Sequence, residues 1–229
     1  MSGVRIVAAG DAMLVAEFED RIAPEVNAKA TMLAARVLAA GVPGVRDVVP
    51  TFRSVAVYFD PVSTDAERLA VVLREVTPSS GVMPTRAGKS VEVPVCYDEE
   101  FGLDLEEVGR AAGLSRDEVV AIHAGRAYRV YMLGFLPGFA YLAAVDPRIA
   151  APRRRSPRLR VAAGSVAIAG EQTGIYPCQS PGGWNIVGRT PTAMLSIDRA
   201  EPALLAAGDT VCFRPISRGE FDRLAGPPV

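Results

Sequence analysis

The sequence of 229 residues has one histidine, one tryptophan and three cysteines, and these small numbers exclude several kinds of site. Cys96, Cys178 and Cys212 are odd in number, lie far apart and form no CxxC pair. This pattern argues against a disulfide framework or a structural zinc site and favours a reducing compartment. His123 has no second imidazole beside which it could hold a metal. We therefore expect a cytoplasmic protein without a metal centre of its own.

An excess of charge and long hydrophobic runs are also missing. The 25 basic and 26 acidic side chains nearly cancel, so nothing at that level suggests a nucleic acid or an anionic membrane as partner. No run approaches the ~18 apolar residues of a membrane span. The N-terminal MSGVRIVAAGDAMLVAEFED resembles a first strand more than a signal peptide. We expect a soluble chain.

Motifs of three common enzyme classes are absent as well. The sequence has neither GxxxxGK[ST] nor GxGxxG, so a standard nucleotide-binding loop is excluded. It has no GxSxG, the nucleophile elbow of serine hydrolases. These absences argue against a serine triad.

Residues 1–80 predict a small α+β domain. Strand, helix, two strands and helix follow one another, which is the split β-α-β pattern of a ferredoxin-like domain. The predicted elements are strands at Val4–Ala8 and Ala12–Phe18, a helix at Glu25–Ala40, strands at Val45–Val49 and Ser54–Phe59, and a helix capped by Ser63 or Thr64.

A linker is predicted at 78–88, and residues 89–229 predict a larger β-rich domain. From Gly134 to Phe213, short β runs are broken by Gly and Pro, as in a barrel or sandwich. The other predicted elements are strands at Val91–Cys96 and Tyr128–Leu133, helices at Leu103–Ala112 and Arg116–Ala124, the latter capped by Ser115, and a final helical turn or two at Ser217–Leu224.

Two loop-like stretches are candidate sites. GFLPGFAYL, Gly134 to Leu142, cannot form a regular helix or central strand and would present aromatic rings from an irregular backbone. Its alternative interpretation is a hydrophobic plug at the end of a barrel. PRRRSPRLR, Pro152 to Arg160, has five arginines in nine residues. Most of these favour a solvated face, although one aimed inward would suit a carboxylate or phosphate.

The third stretch, GSVAIAGEQTGIYPCQSPGGWNIVGRTP from Gly164 to Pro191, has six glycines but only two charged residues. Its Ile, Val, Tyr and Trp content indicates folded loop and strand rather than a flexible linker. Neutral hydrogen-bonding groups between apolar ones are typical of a site for a small, uncharged or amide-like ligand. The glycines would also let backbone N–H groups approach a ligand closely.

His123 admits two interpretations. It lies at the end of a predicted helix, where a cationic ring is favoured, and a lone histidine is more often structural than catalytic. Histidine is nevertheless the natural proton carrier near neutral pH. The residues alone leave both roles open.

Together, IHAGRAYRVYMLGFLPGFAYL, PRRRSPRLRVAAGSVAIAGEQTGIYPCQSPGGWNIVGRTP and LLAAGDTVCFRPIS resemble the KipI family, also called allophanate hydrolase subunit 1 or the PxpB subunit of 5-oxoprolinase. The resemblance covers nearly all of the chain. It implies a ferredoxin-like N-terminal domain followed by a cyclophilin-like β-barrel domain, an α+β class.

The resemblance also implies partners and an activity. The expected partners are a subunit 2 protein of the PxpC/KipA type and a third, PxpA-type subunit. The expected activity is ATP-dependent opening of 5-oxoproline to glutamate, with ATP and Mg²⁺ bound by the complex and no cofactor intrinsic to this chain. The alternatives are a KipI-like inhibitor of a histidine kinase, an allophanate hydrolase or urea carboxylase component, and, ranked low, a prolyl isomerase.

The family's pocket positions fall on all three stretches and on His123. Catalytic roles are implied for His123, Gln172 and Arg189. Substrate-binding roles are implied for Phe135, Pro137, Gly138, Phe139, Tyr141, Arg158, Tyr176, Ser180, Gly182, Gly183 and Trp184.

These positions have expected tasks. Arg158 and Arg189 would contact the phosphoryl group and the substrate carboxylate. His123 would move a proton, and Gln172 with the amides of Gly182–Gly183 would hold the oxyanion. Trp184 would form a wall at the rim of the pocket.

Overall fold

Alternating apolar residues and amphipathic helices organise the N-terminal part of the chain into one sheet covered by two helices. The structure is a computed structural model that describes residues 4–77 and 88–226. The chain divides into two units, Met1–Arg86 and Ala87–Val229. The predicted linker at 78–88 lies, except for Gly88, outside the described residues.

The N-terminal unit contains four antiparallel strands in the order β1-β2-β4-β3. Its elements are β1 (Arg5–Ala8), β2 (Met13–Glu17), α1 (Pro24–Ala40), β3 (Val45–Pro50), β4 (Ser54–Phe59) and α2 (Ala66–Val76). Strand β4 lies between β2 and β3, which α1 connects, so the predicted split β-α-β unit is confirmed. Strand β1 pairs with β2 and occupies the remaining edge.

The ends of the two helices follow local chemistry. Helix α1 ends at Gly41, whose φ of 56° is a left-handed conformation that glycine adopts without a Cβ penalty. Asp65 caps α2 by accepting a hydrogen bond of 2.9 Å from the backbone N–H of Arg68. The prediction of Ser63 or Thr64 as the cap is wrong. The Thr64 hydroxyl instead donates to the carbonyl of Pro43.

The C-terminal unit is built around a closed barrel of seven strands, in the order β10-β7-β6-β13-β5-β12-β9. Its strands are β5 (Ser90–Cys96), β6 (Ala127–Leu133), β7 (Ala140–Ala143), β9 (Ser165–Ala169), β10 (Gln172–Ile175), β12 (Asn185–Arg189) and β13 (Thr210–Ile216). Strands β5 and β13 are parallel, and the other neighbours are antiparallel. The predicted β-barrel and α+β class are confirmed.

Helices and a separate ribbon surround this barrel. They are α3 (Leu105–Ala112), α4 (Arg116–Ala124), α5 (Arg218–Ala225), a 3-10 turn at Pro147–Ile149, and the two-stranded ribbon of β8 (Arg158–Val161) and β11 (Ser180–Gly182). Ser115 and Glu118 form a capping box at α4, as predicted for Ser115. Helix α3 begins two residues later than predicted, because the Asp104 carboxylate binds other groups and does not cap it.

Side chains alternate between the interior and the outer face of the barrel, as the period of two of a β-strand requires. Leu142, Val166 and Ile168 belong to the main core, whereas Ala167 and Ala169 pack in a second apolar cluster. The second cluster therefore lies on the outer face, over strands β7, β10, β9 and β12. This face carries most of the predicted site.

Candidate functional site

Five aromatic side chains from the predicted site meet on the outer face of the barrel. We call Phe135, Phe139, Tyr141, Tyr176 and Trp184 the aromatic cluster. Phe139 is at its centre, with ring centroids 4.9 Å from Tyr141, 5.4 Å from Tyr176 and 5.6 Å from Trp184. These contacts are edge-to-face, the arrangement that the ring quadrupole favours, and each contributes about 0.5–1.5 kcal/mol.

Exposure within the aromatic cluster is uneven. Phe139, Tyr176 and Trp184 are buried, whereas Tyr141 is half-buried and Phe135 is 60% exposed. Phe135 has a φ of 67°, a left-handed conformation that is rare for a bulky residue. The sequence expectation that this loop presents rings from an irregular backbone is correct for Phe135. Tyr141, in contrast, lies within strand β7.

Pro137 and Gly138 shape the turn that carries Phe135 and Phe139. The backbone N–H of Phe139 donates to the carbonyl of Leu136 at 3.0 Å. Pro137 and Gly138 occupy the two central positions, and the φ of 82° at Gly138 suits glycine there. Both residues therefore have a conformational task in this structure, and their predicted contact with substrate stays a prediction.

Gly182 is required for Tyr176 to fit into the aromatic cluster. A Cβ at Gly182 would lie only 2.3 Å from the Tyr176 hydroxyl oxygen and 2.8 Å from its ring. A Cβ at Gly183 would meet nothing closer than 3.5 Å. The two adjacent glycines consequently have different tasks, since only the first makes room for a ring.

The two tyrosines of the aromatic cluster are neutral phenols. Burial raises the pKa of Tyr141 and that of Tyr176, and the nearby charge of Arg153 opposes the rise in both. Both hydroxyls therefore keep their protons at neutral pH and can act as hydrogen-bond donors.

Gln172 lies on the same outer face as the aromatic cluster. It opposes Ala143 on one side and Ala169 on the other, and the next residue, Thr173, points into the barrel. Gln172 is half-buried, and its side-chain amide makes no hydrogen bond within residues 4–77 and 88–226. Its amide is therefore placed to bind a polar group beside the rings.

His123 lies in the barrel interior, where it is fully buried. Its Nδ1 is 2.8 Å from the Tyr97 hydroxyl, and its Nε2 is 3.0 Å from Oγ1 of Thr173. The Thr173 hydroxyl donates to the carbonyl of Ala167, so it accepts from Nε2–H of the histidine. Nδ1 therefore accepts from Tyr97, which makes His123 the neutral Nε2–H tautomer.

Burial also controls the charge of His123. Desolvation lowers its pKa to about 3, and its ring stacks on Phe213 with centroids 4.6 Å apart. Both nitrogens already have partners, so proton exchange with a bound molecule would first require one of these hydrogen bonds to break. The geometry favours the structural role of His123, and its proton-transfer role stays a prediction.

Arg158 makes the bidentate contact that the arginine run suggested, but with a carboxylate of the protein. Its two terminal nitrogens lie 2.7 and 2.8 Å from the oxygens of Asp104, which is 2% exposed. Arg154 also donates to Asp104 at 2.5 Å, and the backbone N–H of Ile186 donates to it at 2.7 Å. The Arg158 guanidinium is therefore engaged, which disfavours its predicted contact with a ligand anion.

Arg189 lies at the opposite end of β12 from Trp184. Its Nε donates to the carbonyl of Ala163 at 2.9 Å, and its guanidinium is 5.6 Å from the centroid of Phe101. It does not belong to the second apolar cluster, so the structure does not bring it together with the aromatic cluster.

Ser180 lies in ribbon strand β11, opposite Val161 of the second apolar cluster. Its Oγ is buried without a hydrogen-bond partner in the described part of the chain. The structure thus brings Ser180 near the aromatic cluster through the ribbon.

Sequence reasoning missed Asp104 and Arg153. The arginine run drew attention to its segment, but nothing in the sequence indicated which arginines Asp104 would engage. Among the described residues, no group of three His, Cys, Asp or Glu side chains is placed to hold a metal ion. The same residues include no helix that is both long and apolar enough to span a membrane.

Comparison with known proteins places these features in context. Residues 4–205 match the family model of the carboxyltransferase domain, subdomain C and D. The chain is 40% identical to the PxpB subunit of the 5-oxoprolinase of Bacillus subtilis (strain 168), over 93% of this chain and 92% of that protein.

Solved structures show the same similarity. TTHA0988 has a TM-score of 0.76 and 40% identity over 90% of this chain. The aligned part is 40% of the TTHA0988 chain, so this chain spans well under half of that protein. The K. lactis urea amidolyase shares the fold, with a TM-score of 0.83 at 22% identity over 95% of this chain and 15% of that one.

Proposed function

The chain belongs to the PxpB family of 5-oxoprolinase subunits, and we propose that it is one subunit of an ATP-dependent 5-oxoprolinase that opens the lactam of 5-oxoproline to glutamate. The observation that carries this proposal is the 40% identity to the Bacillus subtilis protein over 92% of its length. We further propose that the chain works with a subunit 2 (PxpC/KipA-type) protein and a third, PxpA-type subunit.

We assign ATP and its Mg²⁺ to the complex and not to this chain alone. An unactivated amide is hard to break, and ATP would supply the activation by phosphorylating the lactam oxygen. The described residues do not fit the phosphates, because Asp104 engages both Arg154 and Arg158 and the sequence has no phosphate-binding loop. No step through ATP is therefore derived for this chain.

The contribution that suits this chain is binding and orienting the lactam. The exposed ring of Phe135 and the half-buried ring of Tyr141 offer apolar faces to a small flat ring. The Gln172 amide, on the same face, offers a donor to the lactam oxygen. Apolar walls with a few neutral polar groups suit such a ligand.

The test is reconstitution of the complex. We expect the chain to copurify with its subunit 2 partner, and the full complex to release glutamate from 5-oxoproline only when ATP is present. The matched control is the same mixture without this chain, which should release none. Absence of glutamate release from the full complex would contradict the proposal and favour the regulatory alternative.

A pair of variants tests the role of the aromatic cluster. Phe135→Ala removes an exposed ring from the cluster and is expected to lower kcat/KM by about tenfold, the equivalent of ~1.4 kcal/mol. Leu159→Ala removes an apolar side chain that is 87% exposed and outside the cluster. It should leave kcat/KM within twofold of the wild-type value, and equal losses in the two variants would count against the cluster.

A further inference from the structure

One arginine of the run PRRRSPRLR is positioned differently from those that Asp104 engages. The guanidinium carbon of Arg153 lies 5.9 Å from the ring centroid of Trp184. Arg153 is exposed, and no carboxylate within residues 4–77 and 88–226 pairs with it. It therefore places a cation at the aromatic cluster with its hydrogen-bond donors available.

The backbone holds this arginine over the ring from both sides. The carbonyl of Pro152 accepts from the side-chain amide of Asn185 at 2.8 Å. The backbone N–H of Arg154 donates to the carbonyl of Gly183 at 2.8 Å. These hydrogen bonds join the residues that precede and follow the arginine to the residues that follow and precede Trp184.

The buried carboxylate of Asp104 anchors the same segment through side chains. It binds Arg154, the residue next to Arg153, and also Arg158 further along. Because a buried carboxylate keeps its partners in one geometry, the backbone at Arg153 is fixed before any ligand arrives. A cation that is already positioned loses less conformational entropy on binding an anion.

The charge of Arg153 also reaches the phenols of the aromatic cluster. It acts to lower the pKa of Tyr141 and that of Tyr176 against the raising effect of burial. One guanidinium is thus close to Trp184 and both tyrosines, at the edge of the surface that would receive the lactam ring.

We propose that Arg153 is a specificity-determining residue that binds the carboxylate of the ligand at the aromatic cluster. It makes the site selective for an acidic lactam over a neutral one. This inference rests on the proposed function, since 5-oxoproline is a lactam with one carboxylate. It replaces Arg158 and Arg189 as the carboxylate contact, because Arg158 is engaged by Asp104 and Arg189 lies at the far end of β12.

The full chain offers a reporter for this site, because Trp184 is its only tryptophan. We would titrate its fluorescence with 5-oxoproline and with pyrrolidone, the same lactam without the carboxylate. The wild-type chain is expected to show a saturable change with 5-oxoproline. Arg153→Gln should raise the Kd for 5-oxoproline by about 10- to 100-fold, as expected for loss of a charged hydrogen bond.

Two further variants and the neutral ligand act as controls. Arg155→Gln removes an exposed charge from the same segment and should leave the Kd within twofold. Arg153→Lys keeps the charge without the planar fork and should recover part of the affinity. Binding of pyrrolidone should be the same in the wild type and in Arg153→Gln.

The remaining outcomes would overturn the inference. They are no saturable change with the wild-type chain, an unchanged Kd in Arg153→Gln, or an equal loss for both ligands, which would indicate a merely structural arginine. The reconstituted complex separates this inference from the proposed function. Glutamate release with an unaltered KM in Arg153→Gln would refute the role of Arg153 alone. Specific binding without any glutamate release would refute the proposed function alone.

Discussion

The buried imidazole of His123 predicts that the stability of the barrel falls in mild acid. Burial lowers the pKa of His123 to about 3 in the folded chain, against 6.5 for an exposed imidazole. Between these values the unfolded chain binds a proton that the folded chain refuses. Stability therefore decreases as the pH falls below about 6.5 and continues to decrease toward about 3.

The size of the effect follows from the separation of the two pKa values. Each pH unit within this window is worth about 1.4 kcal/mol for one group. Lowering the pH from about 7 to about 5 should thus remove about 2 kcal/mol of the free energy of unfolding. Carboxylates contribute little there, because their ordinary pKa values are near 4.

The assay uses the two unique residues of the chain. Trp184 lies in the same unit as His123, so its fluorescence follows unfolding of the barrel in urea. His123→Asn removes the only imidazole but keeps an acceptor for the Tyr97 hydroxyl. The variant should be less stable at neutral pH by about 2–4 kcal/mol, through the lost ring packing. Its stability should change little between about pH 7 and about pH 5.

A steeper loss in the wild type than in His123→Asn would support a neutral, buried imidazole. The same pH dependence in both would refute it, as would an NMR titration in which the ring of the folded chain protonates near its ordinary pKa. If the imidazole is structural, the folded variant in the reconstituted complex should also retain most of the turnover. Loss of turnover without loss of folding would instead support its predicted proton-transfer role.

Three other substitutions probe the structure that supports the site. Asp104→Ala should destabilise the barrel by about 3–5 kcal/mol in urea unfolding, because it leaves two arginines and a buried N–H without their partner. Gly182→Ala should cost about 1–3 kcal/mol and shift the Trp184 emission, since the new methyl group would overlap Tyr176; Gly183→Ala, with more space, should do neither. Ser115→Ala should cost about 1 kcal/mol through loss of the cap of α4, and an unchanged urea midpoint would argue against the capping box.

Local signals in the sequence were sufficient for most elements of the fold. Gly41 ends α1 and Ser115 caps α4, because glycine tolerates left-handed angles and a hydroxyl satisfies a free N–H wherever they occur. The cap of α2 was not predictable from its pattern. Thr64 is as good a cap as Asp65, and only the tertiary contact of Thr64 with Pro43 decides between them.

The composition of the candidate site could be predicted, but its arrangement could not. The sequence by itself determined that aromatic residues are concentrated in irregular, glycine-containing segments, and that the chain has one imidazole and one cluster of arginines. Which of these groups meet depends on closure of the barrel, which pairs residues far apart in the chain. That closure turned His123 inward and placed Asp104 against Arg154 and Arg158. It left Arg153 outside beside Trp184, because one buried carboxylate has room for only a few donors.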